Sequence, residues 1–364
     1  MENQIQTTNA QSAPIGGLGA AVILTNGLLQ KSDAKTAHGL IRGTERYEII
    51  GVIDSAETAG KDAGEVLDGK HRNIPVFDSL DSAINNLQSI DYLIIGVATI
   101  GGVLPPTMLD IIKIAIENGI SIVNGLHEYL SEKPEILALA EANNVELIDI
   151  RKPKSRKDLH FWTGEVRDVK AKIIAVIGMD CAMGKRTTAR MLSQSCERNG
   201  LNGQMIFTGQ TGWLQGGKYG FIFDSTLNDF VSGELEKAIV SCWKDTHADF
   251  IFLEGQSSLR NPSGPCGLEF LISGNAKHVV LLHAPKRKYF DDDPHWGEIP
   301  SVESEIEIIE KLGSKVIAVA LNTEKCTDEE AFEYQAFYEK KLQLPVLLPI
   351  QEGVEKLIPT LIAL

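Results

Sequence analysis

The chain has 364 residues, 43% hydrophobic and 23% charged, with 49 acidic against 35 basic residues and a formal net charge of −14. That length suits about two domains of roughly 150 residues each. The composition is that of a globular chain with a sizeable core, and the negative charge argues against a nucleic-acid partner, which needs a cationic face. The five cysteines (Cys181, Cys196, Cys242, Cys266, Cys326) are scattered and form no CxxC pair, so neither a disulfide framework nor a zinc site is indicated and a cytoplasmic location is expected.

The opening segment, MENQIQTTNAQSAPIGGLGA, lacks the basic start and apolar stretch of a signal peptide. Residues 1–19 are expected to form a polar, disordered tail. No uncharged apolar run reaches the length of about 20 that spans a bilayer, so no membrane partner is expected.

From Ala20 onward, short apolar runs alternate with amphipathic ones. AAVILT, YEIIGVID, YLIIGVA and ISIVN read as buried strands, and AKTAHGLIR, SLDSAINNL, TMLDIIKIAIENG and EILALAEANN as helices. Asp81 and Ser131 read as helix N-caps and Gly119 as a C-terminal stop. This alternation predicts a doubly wound parallel sheet over residues 20–150. The loop after its first strand, Thr25-Asn26-Gly27, lacks the GxGxxG fingerprint, although Asp54 ends the second strand, where a dinucleotide fold keeps its ribose-binding acid. NAD binding is therefore not favoured. Lys35, His38 and Arg42 share one helix face, which suits a solvated surface as well as an anion site.

Residues 151–170 break the pattern and are expected to be a linker. Arg151, Lys152, Lys154, Arg156 and Lys157 fall within seven positions, consistent with a solvated connection or with the lip of an anion site. A second β–α series fills residues 171–364: the strands KIIAVIG, QMIFTG, DFIFLEG, HVVLLHAP, KVIAVALN and PVLLPI, with helices between them and a short helix at the C-terminus.

The strongest local signal is KIIAVIGMDCAMGKRTTARML. An apolar strand enters a loop bounded by Gly178 and Gly184, followed by Lys185 and a helix opening with Thr187 and Thr188. Such a loop aims backbone N–H groups at a phosphate; the helix N-terminus adds partial positive charge and Lys185 a full one. Two departures from the standard P-loop matter. The first glycine stands one position early, and Arg186 occupies the place of the Ser or Thr that ligates Mg²⁺. Thr187 is about 100° further round the helix. Arg186 instead offers a fork of donors suited to phosphate oxygens. These residues suit a diphosphate that is held rather than cleaved, and coenzyme A carries one. No metal ligand set is assigned.

DFIFLEGQSSLRNPSG ends a strand in Glu254-Gly255-Gln256. Ligands of such sheets sit at the carboxyl ends of strands, so Glu254, with Gln256 beside it, is a candidate general base, a second-shell acid, or a carboxylate that only caps the next element. The glycine-rich stretch after FTGQTG offers Gln210, Thr211 and Asp224 as a lid or substrate wall. Arg260, Lys286 and Arg287 are candidates for holding substrate carboxylates, with Lys288 in the same run. The run Asp291-Asp292-Asp293 has adjacent carboxylates rather than calcium-loop spacing and reads as a solvated loop.

Taken together, GMDCAMGKRTT, FTGQTG, FLEGQSSL, VNGLHEYLSEKPE, AKTAHGLIR and IGVIDSAETAGKDAGEVL resemble a two-domain family long catalogued only as a domain of unknown function. The resemblance covers nearly the whole chain after the tail. It implies an N-terminal Rossmann-like domain and a C-terminal P-loop NTPase-like domain. Some members of that family are D-glutamate N-acetyltransferases, so the resemblance implies transfer of acetyl from acetyl-CoA to the amino group of a small acidic D-amino acid, with a racemase acting on the N-acetyl product. The P-loop half is also similar to dethiobiotin synthetase, which has the same early glycine followed by an aspartate, here Gly178 and Asp180, and uses ATP with Mg²⁺. Arg186 departs from that enzyme's Thr. On this reading the loop, with Gly178, Asp180, Gly184, Lys185, Arg186, Thr187 and Thr188, holds the cofactor; Glu254 and Gln256 carry the chemistry; Gln210, Thr211, Arg260, Lys286 and Arg287 hold the substrate; and backbone N–H groups near Gly255 or Gly212 stabilise the oxyanion. The alternatives are an ATP- and Mg-dependent kinase or ligase of a small carboxylate, and a non-catalytic nucleotide-binding regulator. A homo-oligomer is expected.

Overall fold

Strands buried on both faces belong in parallel sheets covered by helices on each side, and the apolar runs of this chain are such strands. The computed structural model describes residues 19–364, so the expected tail lies, apart from Gly19, outside the described residues. The chain forms two units: one ends at Lys154 and also takes in Gln210–Lys218, and the other comprises Ser155–Gly209 and Tyr219–Leu364.

The first unit contains strands β1 (Ala20–Leu24), β2 (Glu48–Ile53), β3 (Val76–Phe77), β4 (Tyr92–Ile95), β5 (Ser121–Asn124) and β6 (Leu147–Asp149), in the order β3-β2-β1-β4-β5-β6. Every pairing is parallel. The order is that of a Rossmann-like sheet, with its switch point between β1 and β4. Its helices are α1 (Lys35–Arg42), α2 (Ala63–Asp68), α3 (Leu80–Asn86), α4 (Pro106–Glu117) and α5 (Pro134–Asn143). Gly119, at φ +76°, follows the end of α4 as expected. The two expected caps are displaced. Ser79 caps α3, its hydroxyl accepting from the Ser82 N–H, and Asp81 lies inside the first turn. Helix α5 starts with Pro134 in its first turn, where the missing N–H costs nothing, and Ser131 belongs to the preceding 3-10 turn.

Asp54 ends β2 as a structural anchor. Its Oδ1 accepts from the Thr25 hydroxyl (2.7 Å), the Gly27 N–H (2.8 Å) and the Leu29 N–H (3.0 Å), and its Oδ2 from the Thr58 hydroxyl (2.7 Å). This buried carboxylate therefore fixes the loop after β1 rather than facing a ribose.

The second unit contains β7 (Lys172–Gly178), β8 (Gly203–Phe207), β9 (Tyr219–Gly220), β10 (Phe250–Glu254), β11 (His278–His283), β12 (Lys315–Leu321) and β13 (Val346–Leu347), in the all-parallel order β13-β12-β11-β7-β10-β8-β9. Helices α6 (Lys185–Arg198), α8 (Asn228–Thr246), α9 (Val302–Lys311), α10 (Asp328–Leu342) and α11 (Ile358–Ile362) accompany it. The seventh helix in chain order, α7 (Gln210–Leu214), falls in the stretch that joins the first unit. The expected 151–170 linker is packed rather than loose. Buried Glu236 on α8 accepts from the N–H groups of Gly164 (2.8 Å) and Val166 (3.2 Å), and Glu234 from the His160 N–H (2.9 Å). Burying these carboxylates requires such donors. Among the described residues no helix is long and apolar enough to cross a membrane.

Replacing Asp54 with Ala leaves the buried Leu29 N–H and the partly exposed Gly27 N–H without their acceptor, while the Thr25 and Thr58 hydroxyls keep the Ile53 and Ser55 carbonyls, a loss of about 1–3 kcal/mol. The expected result is faster hydrogen exchange of the β1 amides, with exchange in β7 unchanged.

Candidate functional site

The carboxyl ends of β7 and β10 are neighbours, with Glu254 in register with Val176. The loop from Gly178 to Gly184 leaves β7 at that edge and delivers α6 beginning at Lys185. Gly184 has φ +91°, a left-handed conformation that favours glycine, and turns the chain into the helix. At Gly255 a Cβ would lie 2.6 Å from the Val176 carbonyl oxygen, so the close approach of β10 to β7 requires glycine.

Asp180 pins the loop. It is fully buried; its Oδ1 accepts from Asn261 Nδ2 (2.8 Å), and its Oδ2 from Arg287 Nη1 (2.9 Å) and the Asp291 N–H (2.8 Å). Arg287 also donates to the Cys181 carbonyl (2.7 Å) and pairs with Glu324. Lys185 is buried, and its Nζ donates to the carbonyls of Asp180 (2.7 Å) and Ser257 (2.8 Å). Burial lowers its affinity for the proton below that of an ordinary lysine. Thr188 is buried and begins the helical hydrogen bonding by donating to the Gly184 carbonyl, while Thr187 is half-buried.

Glu254 is 5% exposed, and its Oε2 accepts from the Thr208 N–H (2.9 Å). Burial raises its pKa above the usual carboxylate range; the nearby Arg186 guanidinium, the N–H groups of Thr208 and Gly209, and Lys185 oppose that rise. The Thr208 hydroxyl donates to the Glu254 carbonyl (2.7 Å) and accepts from Gln256 Nε2 (2.9 Å). A Cβ on Gly209, in the turn after β8, would stand 3.2 Å from that Gln256 nitrogen, a close approach to which the amide would have to yield. The arrangement brings a glycine-bounded loop and its Lys185 and Arg186 beside a desolvated carboxylate, on whose charge both cations act.

The other candidate residues fall elsewhere. Gln210 and Thr211 belong to the first unit and are engaged there: Arg151 Nη2 donates to Gln210 Oε1 (2.8 Å), and Thr211 shares a hydrogen bond with Thr36 (3.1 Å). Gly212 belongs to the same unit. The Gly255 N–H donates to Val176 (3.0 Å), so it is not free for an oxyanion. Arg260 donates to Glu305 Oε2 (2.6 Å), Lys286 pairs with Glu330, and Lys288 with Glu298 (3.0 Å). The acidic run is divided: Asp291 joins the Asp180 cluster, Asp292 pairs with Lys325, and Asp293 caps a short turn.

Several contributors escape sequence reasoning. Asn261 is fully buried and bridges Asp180 to Asp291; Ser257, at φ +35°, supplies a lysine acceptor. The only cue was the turn-forming RNPSG that holds Asn261. Asp180, Cys181 and Asp291 each bring one possible metal-ligating atom within 4.8 Å of the others, but both Asp180 oxygens already have donors. Burial raises the Cys181 thiol above its ordinary pKa and pushes Cys266 up to about 12, so both are thiols at neutral pH.

Comparison with known proteins agrees with this architecture. Residues 160–358 match the P-loop domain of a family described as a domain of unknown function, DUF1611, and residues 56–153 match the Rossmann-like domain of that family. A D-glutamate N-acetyltransferase of a Pseudoalteromonas species is 32% identical over 275 residues, covering 74% of this chain and 80% of its own. A second enzyme of that name, from Tritonibacter scottomollicae, is 29% identical over 278 residues, covering 74% and 81%. A crystal structure of a DUF1611 family protein from Anabaena variabilis superposes with a TM-score of 0.86 at 27% identity, covering 95% of this chain and 99% of the other.

The Asp180–Arg287 pair is buried whereas Lys286–Glu330 is at the surface. A double-mutant cycle on Asp180 and Arg287, read by urea unfolding, is expected to give a coupling of about 1–3 kcal/mol, and the same cycle on Lys286 and Glu330 a smaller one.

Proposed function

This chain belongs to the DUF1611 family, and from that premise we propose that it is an N-acetyltransferase moving acetyl from acetyl-CoA to the amino group of D-glutamate. The observation that carries the reading is the pairing of an Arg186-bearing phosphate loop with the buried Glu254 carboxylate. Two relatives named for this activity support the substrate assignment.

The donor set fits the phosphates of coenzyme A. Lys185 and Arg186 supply charge, and the loop between Gly178 and Gly184 with the first turn of α6 supplies N–H groups. Arg186 takes the place of the hydroxyl by which nucleotide-cleaving loops hold Mg²⁺. Acetyl-CoA brings an activated thioester. An ammonium group must lose a proton before it attacks such a carbon, and Glu254, with its raised pKa, takes that proton directly or through one water. Gln256, held by the Thr208 hydroxyl, orients the amine. For the substrate carboxylates Lys286 remains a candidate only if it leaves its surface pair with Glu330, which is readily exchanged. Arg287, bonded to Asp180 and Glu324, shapes the loop instead.

A second reading, in which ATP is used on a small carboxylate, takes the cluster of Asp180, Cys181 and Asp291 as the place of a cation, which would have to displace the donors now on Asp180. Incubating the protein with D- and L-amino acids, and either acetyl-CoA or ATP with Mg²⁺, separates the two. The proposal predicts thiol release that depends on D-glutamate; release of ADP instead favours the second reading.

Lys185→Ala is expected to raise the KM for acetyl-CoA about tenfold or more with a smaller change in kcat. Glu254→Gln is expected to lower kcat by roughly 10²–10⁴-fold. In the parent enzyme kcat/KM falls as pH drops through the pKa of Glu254, at a pH above the ordinary carboxylate range near 4.3, and Glu254→Gln removes that acidic limb. Full turnover in Glu254→Gln contradicts the base assignment.

A further inference from the structure

The second unit carries a cleft that the proposed reaction does not use. It has a volume of about 370 Å³ and is lined by Trp162, Arg167, Leu271, Ile272, Lys277 and Leu312, among others. These residues stand just before strands: Arg167 before β7, Leu271, Ile272 and Lys277 before β11, and Leu312 before β12. In an all-parallel sheet they therefore lie at the amino edge, whereas the phosphate loop leaves the carboxyl edge. The seven residues of β7 separate the two by about 20 Å at roughly 3.3 Å per residue.

The lining has two chemistries. One wall carries accessible apolar side chains: Ile272 is 59% and Trp162 38% exposed. The indole is fixed by its N–H donating to the Ser273 carbonyl (3.0 Å), and the Arg167 guanidinium lies 5.3 Å above its ring. The other wall is cationic. Lys277 and Lys315 meet across neighbouring strands through a backbone hydrogen bond (2.9 Å). Burial, and then Lys172 and Lys315, hold His278 below the usual histidine pKa. Among the described residues, none of Arg167, Lys172, Lys277 and Lys315 is in an ion pair, in a chain where acids outnumber bases by 49 to 35. These exposed cations have no carboxylate among the described residues within ion-pair distance and give this edge of the sheet a local positive charge in an acidic chain.

We propose that this cleft binds a small amphipathic carboxylate, its anionic head between Arg167 and Lys277 and its aromatic or aliphatic body against Trp162, Ile272 and Leu312. The volume lies within the range of small-molecule sites, about 300–1,000 Å³. The head gains charge-assisted hydrogen bonds and the body leaves water. The site is independent of the acetyl-transfer reading.

The test uses 4-phenylbutyrate as probe, titrated calorimetrically into the full chain. The expected result is saturable binding of one molecule per chain, with 4-phenylbutanamide, which lacks the charge, about tenfold weaker or more. The exposed pair Arg167→Ala with Lys277→Ala weakens the acid by a similar factor, Ile272→Asp abolishes binding, and Lys185→Ala leaves it unchanged. Absence of saturable binding overturns the proposal. So does equal affinity for acid and amide, and so does loss of binding in Lys185→Ala, which would place the probe at the phosphate loop.

Discussion

One carboxylate without access to water holds the candidate site together. Asp180 takes an amide from Asn261, a guanidinium from Arg287 and a backbone N–H from Asp291, tying the phosphate loop to the segments after β10 and β11. A buried carboxylate is costly unless donors surround it, so these contacts form together. With the loop fixed, Lys185 reaches the Asp180 and Ser257 carbonyls, and α6 starts directly after the loop. Glu254, at the neighbouring strand end, then lies where Arg186 and Lys185 act on its charge.

The first unit uses the same device to a different end. Asp54 also closes a strand at the carboxyl edge, but both its oxygens are held by the Thr25–Leu29 loop and Thr58. A Rossmann-like sheet is present, while the acid that would hold a ribose is committed to structure. Fold and function part company here, as a shared architecture allows. The first unit also receives α7 from the later half of the chain: Arg46 donates to the Trp213 carbonyl (2.7 Å) and stacks over its ring at 4.0 Å, and Gln215 donates to the carbonyls of Gly39 and Gly43.

Much of this was legible in the sequence, and the gaps have physical causes. Long apolar strands such as KIIAVIG declare themselves, and the glycines and Lys185 that follow have few other uses. The two-residue strands β3 and β9 are too short to show a period. The cationic run Lys286 to Lys288 is obvious, but its partners Glu330, Glu324 with Asp180, and Glu298 come from distant positions that only folding brings near. Gln210 and Thr211 follow a strand of the second unit and read as its loop; nothing local reveals that Arg151 and Thr36 hold them in the first.

We propose that Arg186, standing where a magnesium-binding hydroxyl is usual, adapts the loop to hold a thioester carrier rather than to cleave a nucleotide. Turnover of acetyl-CoA with D-glutamate, followed as free thiol in the presence of excess EDTA, tests it most directly. Thiol release is expected at the same rate with and without the chelator. Loss of turnover in EDTA, restored by Mg²⁺, would contradict it.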